Sequence, residues 1–454
     1  MLTRIEIDGF KTFEHFAVDV SPFGVMIGPS NAGKSNLFDA LRFLSLLSRH
    51  DVPAAMRGLR GRPEELFRRT ADGATDVLCL AVEVLLPLRG TDDFGTPYEL
   101  EAQRLRYEVT LTQHRDPGGQ PREVVVSAES CRALTRDEER APWIDSDTVA
   151  YARAPHLYLR PSSPPGLSFD SEAIPLAHGA GPGWEEELGL PPGGSALFSG
   201  WNAARTALSV VMTAEQPHLF ALRALLSSIR LLDIDPVAAR RGNDAFEERT
   251  LRVNAGNLAT VLADLREETA SPPHPEGVMG ALSTTLAQLV PMVRGVRVRG
   301  GIESGETSFD IETTEHLVMS ARQVSNGTVR ALALLAALKD PIRAGLLCIE
   351  EPDAGLDEDR LPVLASVLRQ AIRGPALAPA ARLAGQAGSP PPFQILATAR
   401  SSALAAALEA HECLRVNRVL APEASTSIRP AATRMTWAAP PPARRDAKPA
   451  GPSP

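Results

Sequence analysis

Apolar residues recur along this chain at two periods, and the switches between them outline its elements. Phe23 to Ile27 (FGVMI) is a short continuous apolar run, the mark of a strand covered on both faces. From Asn36 to Leu47 the apolar positions return at helical spacing. Leu2 to Ile7 and Phe16 to Val20 read as a hairpin with Gly9 in or near its turn. Val77 to Leu86 is mostly apolar. Leu105, Tyr107, Val109 and Leu111 then alternate with Arg104, Arg106, Glu108 and Thr110, which predicts a half-exposed antiparallel strand, and Arg122 to Ser127 continues the pattern after a DPGGQP turn. Pro161 to Gly194 is rich in Pro and Gly and predicts a long irregular connection. Helical spacing resumes over Ala203 to Met212, Pro217 to Ser228, Asn257 to Glu268 and Val278 to Leu289. Short strands follow at Val296 to Arg299 and Ser308 to Thr313. Beyond about Pro422 periodicity is lost, and Ala438 to Pro454 has the composition of a disordered tail.

Composition narrows the class. A chain of 454 residues, 44% apolar and 22% charged, is ordinary for a globular protein with a large core. No apolar run approaches the ~18 residues that span a bilayer, and the opening MLTRIEIDGF lacks a signal-peptide core. Cys79, Cys131, Cys348 and Cys413 lie far apart, a pattern of reduced, packed thiols; a cytoplasmic location is expected. The net charge of −8 argues against a surface dominated by nucleic-acid binding. Two local basic clusters stand out, Arg57, Arg60, Arg62, Arg68 and Arg69, and Arg294, Arg297 and Arg299; each reads more simply as solvated charge.

The chemistry lies at the element ends. Gly28, Pro29, Ser30, Asn31, Ala32, Gly33, Lys34 and Ser35 fit G-x-x-x-x-G-K-[ST] between a strand and a helix, and Asn36 follows in the helix. Glycines let successive N–H groups curl around a phosphate at the positive end of a helix. Lys34 is expected to reach the β- and γ-phosphates and the Ser35 hydroxyl to bind Mg²⁺. Leu346 to Ile349 forms a buried strand ending in Glu350 and Glu351, where open α/β sheets place their ligands. One carboxylate can hold Mg²⁺ and the other orient the attacking water. Ser325, Asn326 and Gly327 open an apolar helix, either as a simple cap or as a second helix N-terminus facing a phosphate.

Taken together, GPSNAGKSN, VSNGT-R-ALALLAAL, LLCIEEPDAGLD and QILATARSSAL resemble the ABC-type ATPase heads of the SMC/RecF group. They are most similar to the compact bacterial AAA-domain ATPases related to the OLD nucleases and grouped with abortive-infection proteins. IEIDGFKTFEHF and NAGNLA (Asn254 to Ala259) resemble that group's first strand and loop and the segment ahead of its lid helices. The resemblance spans Met1 to about Leu420. It implies an α/β fold: a P-loop ATPase head with mixed sheets, a helical lid and a disordered C-terminal tail. The lobes would be 1–160 with Walker A, 161–320 as linker and lid, 321–421 with the second half of the site, and 422–454 as tail. It makes Gly28 to Ser35 Walker A, Glu350 and Glu351 Walker B, Ser325 to Gly327 the signature, and Ala354 to Asp357 the D-loop. It further implies ATP and Mg²⁺ as ligands, and an ATP-dependent homodimer in which the signature meets the partner copy's γ-phosphate. The expected work is in DNA maintenance or phage defence, with DNA or a separate nuclease or toxin effector as candidate partners, and no membrane.

Arg400 departs from this pattern, standing where relatives carry a switch histidine; it is a permanent cation that could hold a γ-phosphate but cannot relay a proton. An alternative reading is therefore a nucleotide-dependent switch with negligible hydrolysis. Lys11 could approach the nucleotide or face solvent, and Gln103, Gln113 and Gln120 are positional candidates for the Q-loop. The nine histidines are scattered, with no metal-binding pair.

Overall fold

The computed structural model describes residues 1–70, 73–119, 121–162, 166–169, 197–198, 203–244, 247–300, 305–341, 343–373, 393–419 and 431–441. The elements that frame the site are, in chain order, β1 (Leu2–Asp8), β2 (Phe16–Asp19), β3 (Phe23–Ile27), α1 (Lys34–Leu47), β4 (Arg230–Leu232), α2 (Asn326–Lys339), β5 (Gly345–Ile349), β6 (Phe393–Thr398), β7 (Cys413–Val419) and β8 (Ala432–Trp437). One sheet has the order β4-β5-β6-β3-β7-β8. Its first five strands run parallel, and β8 returns antiparallel to β7. The parallel strands thus end together on one edge, with Gly28, Glu350 and Ala399 all at that edge.

A second, eight-stranded antiparallel sheet runs from Leu197–Phe198 through Gly166–Phe169, Leu157–Ser162, Pro121–Ala133, Arg104–Arg115 and Val77–Leu85 to β1 and β2. The alternation read at 104–111 is present from Leu105 on, with Leu105, Tyr107, Val109 and Leu111 buried, whereas Arg104 is itself fully buried, paired with Glu139. Between the two sheets α1 buries Leu37, Phe38, Leu41, Phe43 and Leu44 against Met26, Leu396 and Leu414 on one side and Ile5, Leu80 and Val109 on the other. Burying such side chains stabilises by ~1.5–3 kcal/mol each. Gln394, fully buried on β6, joins the sheets: its Nε2 donates to Leu2 O at 2.7 Å and its Oε1 accepts from Leu2 N at 2.5 Å. On the other face of the parallel sheet, α2 and the helices Leu258–Thr269, Met279–Leu289 and Leu361–Arg373 cover Val25, Ile349 and Ile395. Among the described residues no helix is long and apolar enough to cross a membrane.

Four expectations change. Ala203 to Met212 forms a bridge at Ala203 and a single 3-10 turn at Leu208–Val210 rather than a helix. The buried Glu129 carboxylate takes the Ala207 and Leu208 N–H groups at 2.6 and 3.0 Å, and Thr206 Oγ1 donates to Leu47 O, so side chains fix this backbone. The boundary at 160/161 falls inside the strand Leu157–Ser162, and the expected irregular connection contributes Gly166–Phe169 to the sheet; 163–165 and 170–194 lie outside the described residues. Within the 161–320 region, Arg230–Leu232 belongs to the parallel sheet because it pairs with Leu347–Ile349. Finally, within the 422–454 stretch expected as tail, Ala432–Trp437 returns as β8, while 422–430 and 442–454 lie outside the described residues.

Candidate functional site

β3 emerges from the centre of the parallel sheet directly into the glycine-rich loop. Gly28 passes so close to β7 that a Cβ there would lie 2.2 Å from Val416 O. Gly33 caps α1 with φ 103°, and Asn31 also has a left-handed backbone at φ 63°. Pro29, Ser30 and Asn31 are exposed, whereas Ala32 is buried. Lys34 Nζ curls back over the loop, donating to Gly28 O at 2.6 Å and Pro29 O at 2.9 Å. Burial lowers the Lys34 pKa, and the charges of Glu350 and Glu351 oppose that shift.

The carboxylates arrive from the next-but-one strand. Glu350 is half-buried; its Oε2 accepts from Thr398 Oγ1 at 3.2 Å, and the Ser35 hydroxyl is close enough to pull its pKa down. Its Oε1 is buried without a hydrogen-bond partner, with Arg60 Nη2 3.8 Å away. Burial pushes the Glu350 pKa up, against the pull of Ser35 and Arg60. Glu351 has φ 45°, a left-handed conformation that costs a non-glycine residue ~1–2 kcal/mol. Its N–H is held by Thr398 Oγ1 at 2.9 Å, and its exposed carboxylate lies 3.7 Å from Arg400 Nη1. Buried Asp353 fixes the loop after β6 by accepting from Arg400 N and Ser401 N. The Arg400 side chain itself is 71% exposed.

Ser325 caps α2, its Oγ accepting from Thr328 N at 3.2 Å. Ser325 and Asn326 are exposed, and Gly327 is pressed against Gly355: a Cβ on Gly327 would lie 1.9 Å from Gly355 O. Among the described residues no hydrogen bond joins Ser325, Asn326 or Gly327 to the Gly28–Asn36 loop of the same chain. The structure thus brings together Lys34, Ser35, Glu350, Glu351 and Arg400, and leaves Ser325 and Asn326 exposed at the start of α2.

Several participants were silent in the sequence. Asp39, buried on α1, accepts from Lys11 Nζ at 2.6 Å and Arg60 Nε at 3.0 Å, so Lys11 is committed to an ion pair inside the chain. Arg60 also donates to Ser35 O at 3.0 Å, which singles it out from the basic cluster. Arg240 donates to Val324 O and to Asn326 Oδ1, holding the signature-like loop. Arg294 and Arg297 pair with Glu312, and Arg299 with Asp310, so two carboxylates of the same hairpin offset most of that basic stripe. Gln103 spends its amide on Leu86 and Ala150, Gln113 is buried in the antiparallel sheet, and Gln120 lies outside the described residues. A carboxylate at the end of one strand and a hydroxyl at the start of α1 are readable from motif spacing. Residues such as Asp39 and Thr398 look like ordinary helix and strand positions until the fold converges them.

Compared with solved structures, the chain has a fold similar to that of an SMC head. A structure titled as the SMC head bound to the C-winged helix domain of ScpA matches at TM-score 0.50 and 13% identity over 96% of each chain. The Thermotoga maritima SMC head domain matches at 0.37 and 10%, covering 96% of this chain and 98% of that one. A Pyrococcus furiosus SMC head with extended coiled coil, bound to the C-terminal domain of ScpA, matches at 0.41 and 13%, covering 96% and 95%. None of the curated proteins matches the chain. The family model described as "AAA domain, putative AbiEii toxin, Type IV TA system" matches residues 168–398, about half of the chain. The chain belongs to this AAA-domain family.

Proposed function

We propose that the chain binds ATP with Mg²⁺ between the Gly28–Asn36 loop and the ends of β5 and β6, hydrolyses it slowly, and dimerises on it. The observation carrying this reading is Glu350, a half-buried carboxylate beside the Ser35 hydroxyl, with one oxygen lacking a hydrogen-bond partner. Such an oxygen costs ~1–3 kcal/mol or more when left unmet, and a cation supplies what it lacks. Among the described residues no three His, Cys, Asp or Glu side chains converge on a metal geometry. That suits Mg²⁺, which prefers one or two carboxylates with water and substrate phosphates. Bound there through Ser35 and Glu350, Mg²⁺ would neutralise charge on the β- and γ-oxygens. Lys34 and the loop N–H groups would hold the phosphates, and Glu351 would orient the attacking water. Ser325 and Asn326, exposed and unlinked to their own loop, would with the buried Gly327 face the γ-phosphate in a second copy. The family description, with its toxin–antitoxin wording, favours phage defence over DNA maintenance. A separate toxin or nuclease would be the effector. DNA remains a candidate partner.

Replacing Lys34 by Ala removes a charge-assisted contact worth about 1.5–3 kcal/mol. ATP affinity should fall at least roughly tenfold with the fold intact by circular dichroism. Unchanged affinity in calorimetry would overturn the site. The second reading, a switch with negligible hydrolysis, draws on the Arg400–Glu351 contact, which places a permanent cation on the carboxylate needed for water. A measured turnover number separates the two.

A further inference from the structure

We infer that Thr433, on β8, acts with Thr12 as a positioning residue that sets the shape of the phosphate loop. The inference rests on the nucleotide-site reading above. Thr433 is fully buried, and its Oγ1 donates to Ala32 O at 2.9 Å across 401 residues of sequence. The same oxygen lies 2.7 Å from Thr12 Oγ1, which accepts from Asn36 Nδ2 at 2.9 Å. The Thr433 N–H also donates to Thr12 O at 3.0 Å. Three segments distant in sequence, the β1–β2 loop, the phosphate loop with α1, and β8, are thus joined by one chain of polar contacts.

The physical effect follows from peptide planarity. In a trans peptide the carbonyl and the N–H point in opposite directions. Drawing Ala32 O toward Thr433 therefore aims the Gly33 N–H away from β8, toward the side where a phosphate would sit. Donors fixed before the ligand arrives cost no reorganisation on binding. Steric contact works with the hydrogen bond: a Cβ on Gly33 would lie 2.2 Å from Thr433 Oγ1, so glycine is required both by its φ of 103° and by the approach of β8. β8 is itself anchored away from the loop, where Trp437 Nε1 donates to Asp19 O at 2.9 Å and the indole fills the space left by Gly24.

The test is calorimetry on the full chain with Mg²⁺ and either ADP or ATPγS, in wild type, Thr433→Val, Thr433→Ser and Met435→Ala. Met435 lies on the same strand and in the core but makes none of these polar contacts. Thr433→Val should weaken ADP and ATPγS by the same factor, roughly tenfold or more, since both carry the β-phosphate; Thr433→Ser should stay within about threefold of wild type. Met435→Ala should lower the melting temperature without weakening either nucleotide by more than about threefold. Affinity retained in Thr433→Val, or lost in Met435→Ala in proportion to its melting temperature, would overturn the inference. If Thr433→Val does not fold, Thr12→Val is judged by the same criteria. A wild-type chain that binds neither nucleotide overturns the site reading and this inference together. Loss in Lys34→Ala with none in Thr433→Val overturns this inference alone.

Discussion

Glu351 and Arg400 stand 3.7 Å apart at the ends of neighbouring strands, and both side chains are substantially exposed. An exposed pair of this kind adds only ~0–1 kcal/mol to stability, so its weight falls on chemistry. In the proposed site, a guanidinium beside Glu351 would compete with the attacking water for that carboxylate. Arg400→Ala should therefore raise phosphate release by about two- to tenfold with the melting temperature unchanged, and Arg400→His should raise it further, because histidine exchanges its proton near neutral pH. Turnover equal to wild type in both variants would show that the contact restrains nothing. At this scale the sequence was legible wherever spacing encodes chemistry: Gly28, Gly33, Lys34, Ser35 and the Glu350–Glu351 pair lie on one edge of one sheet, as the motifs require. It was mute on Asp39, Arg60, Thr398 and Asp353, whose roles depend on partners tens to hundreds of residues away.

Helix starts and strand ends carry the next level. Gly327, in the first turn of α2, packs backbone to backbone on Gly355, which itself has φ 86°. A methyl at Gly327 meets a carbonyl that no rotamer change can move, so Gly327→Ala should displace the Ala354–Asp357 loop. ATP binding by the isolated chain should survive, and ATP-driven association should be lost; sedimentation of the variant with ATP reads this. Glu129 is an element-scale clamp of another sort. Fully buried, it receives Tyr107 Oη, Ala207 N and Leu208 N, and burial pushes its pKa from 4.5 up to about 7. Between those values the folded chain keeps a proton that the unfolded chain has lost. Stability contributed by this group therefore falls as pH rises through the window, and the penalty is complete above pH 7. Relative to wild type, Glu129→Gln should gain on the order of 3 kcal/mol between pH 4.5 and 8, read from urea midpoints; a pH-independent difference would count against it. Strand β8 escaped the sequence reading because its inward positions include Thr433 beside Ala432 and Met435, so a polar residue interrupts the apolar alternation. The 203–212 segment was misread for the converse reason: its apolar spacing is helical, but side chains from elsewhere claim its backbone.

For the molecule as a whole, the proposal that a second copy faces the exposed Ser325–Asn326 edge has a direct test. With hydrolysis blocked by Glu351→Gln, ATP should convert monomer to dimer, and adding Ser325→Arg should prevent this while leaving ATP binding within about threefold. Light scattering that finds one mass with and without ATP, in a chain that is monomeric to begin with, would remove the composite site. The layered head was legible from the alternation of periods and from the motifs. Its sheet order was not, because strand neighbours are chosen by long-range packing. That order has a consequence for how the protein comes into being. β3, residues 23–27, is flanked in its sheet by β6 and β7, residues 393–398 and 413–419. During translation at ~5–20 residues per second, the strand that launches the phosphate loop waits on the order of half a minute for either neighbour to be synthesised. A nascent chain on the ribosome thus carries the most recognisable motif of the protein long before the strands that flank it in the sheet, and a nucleotide could meet a fully framed loop only once both have been made.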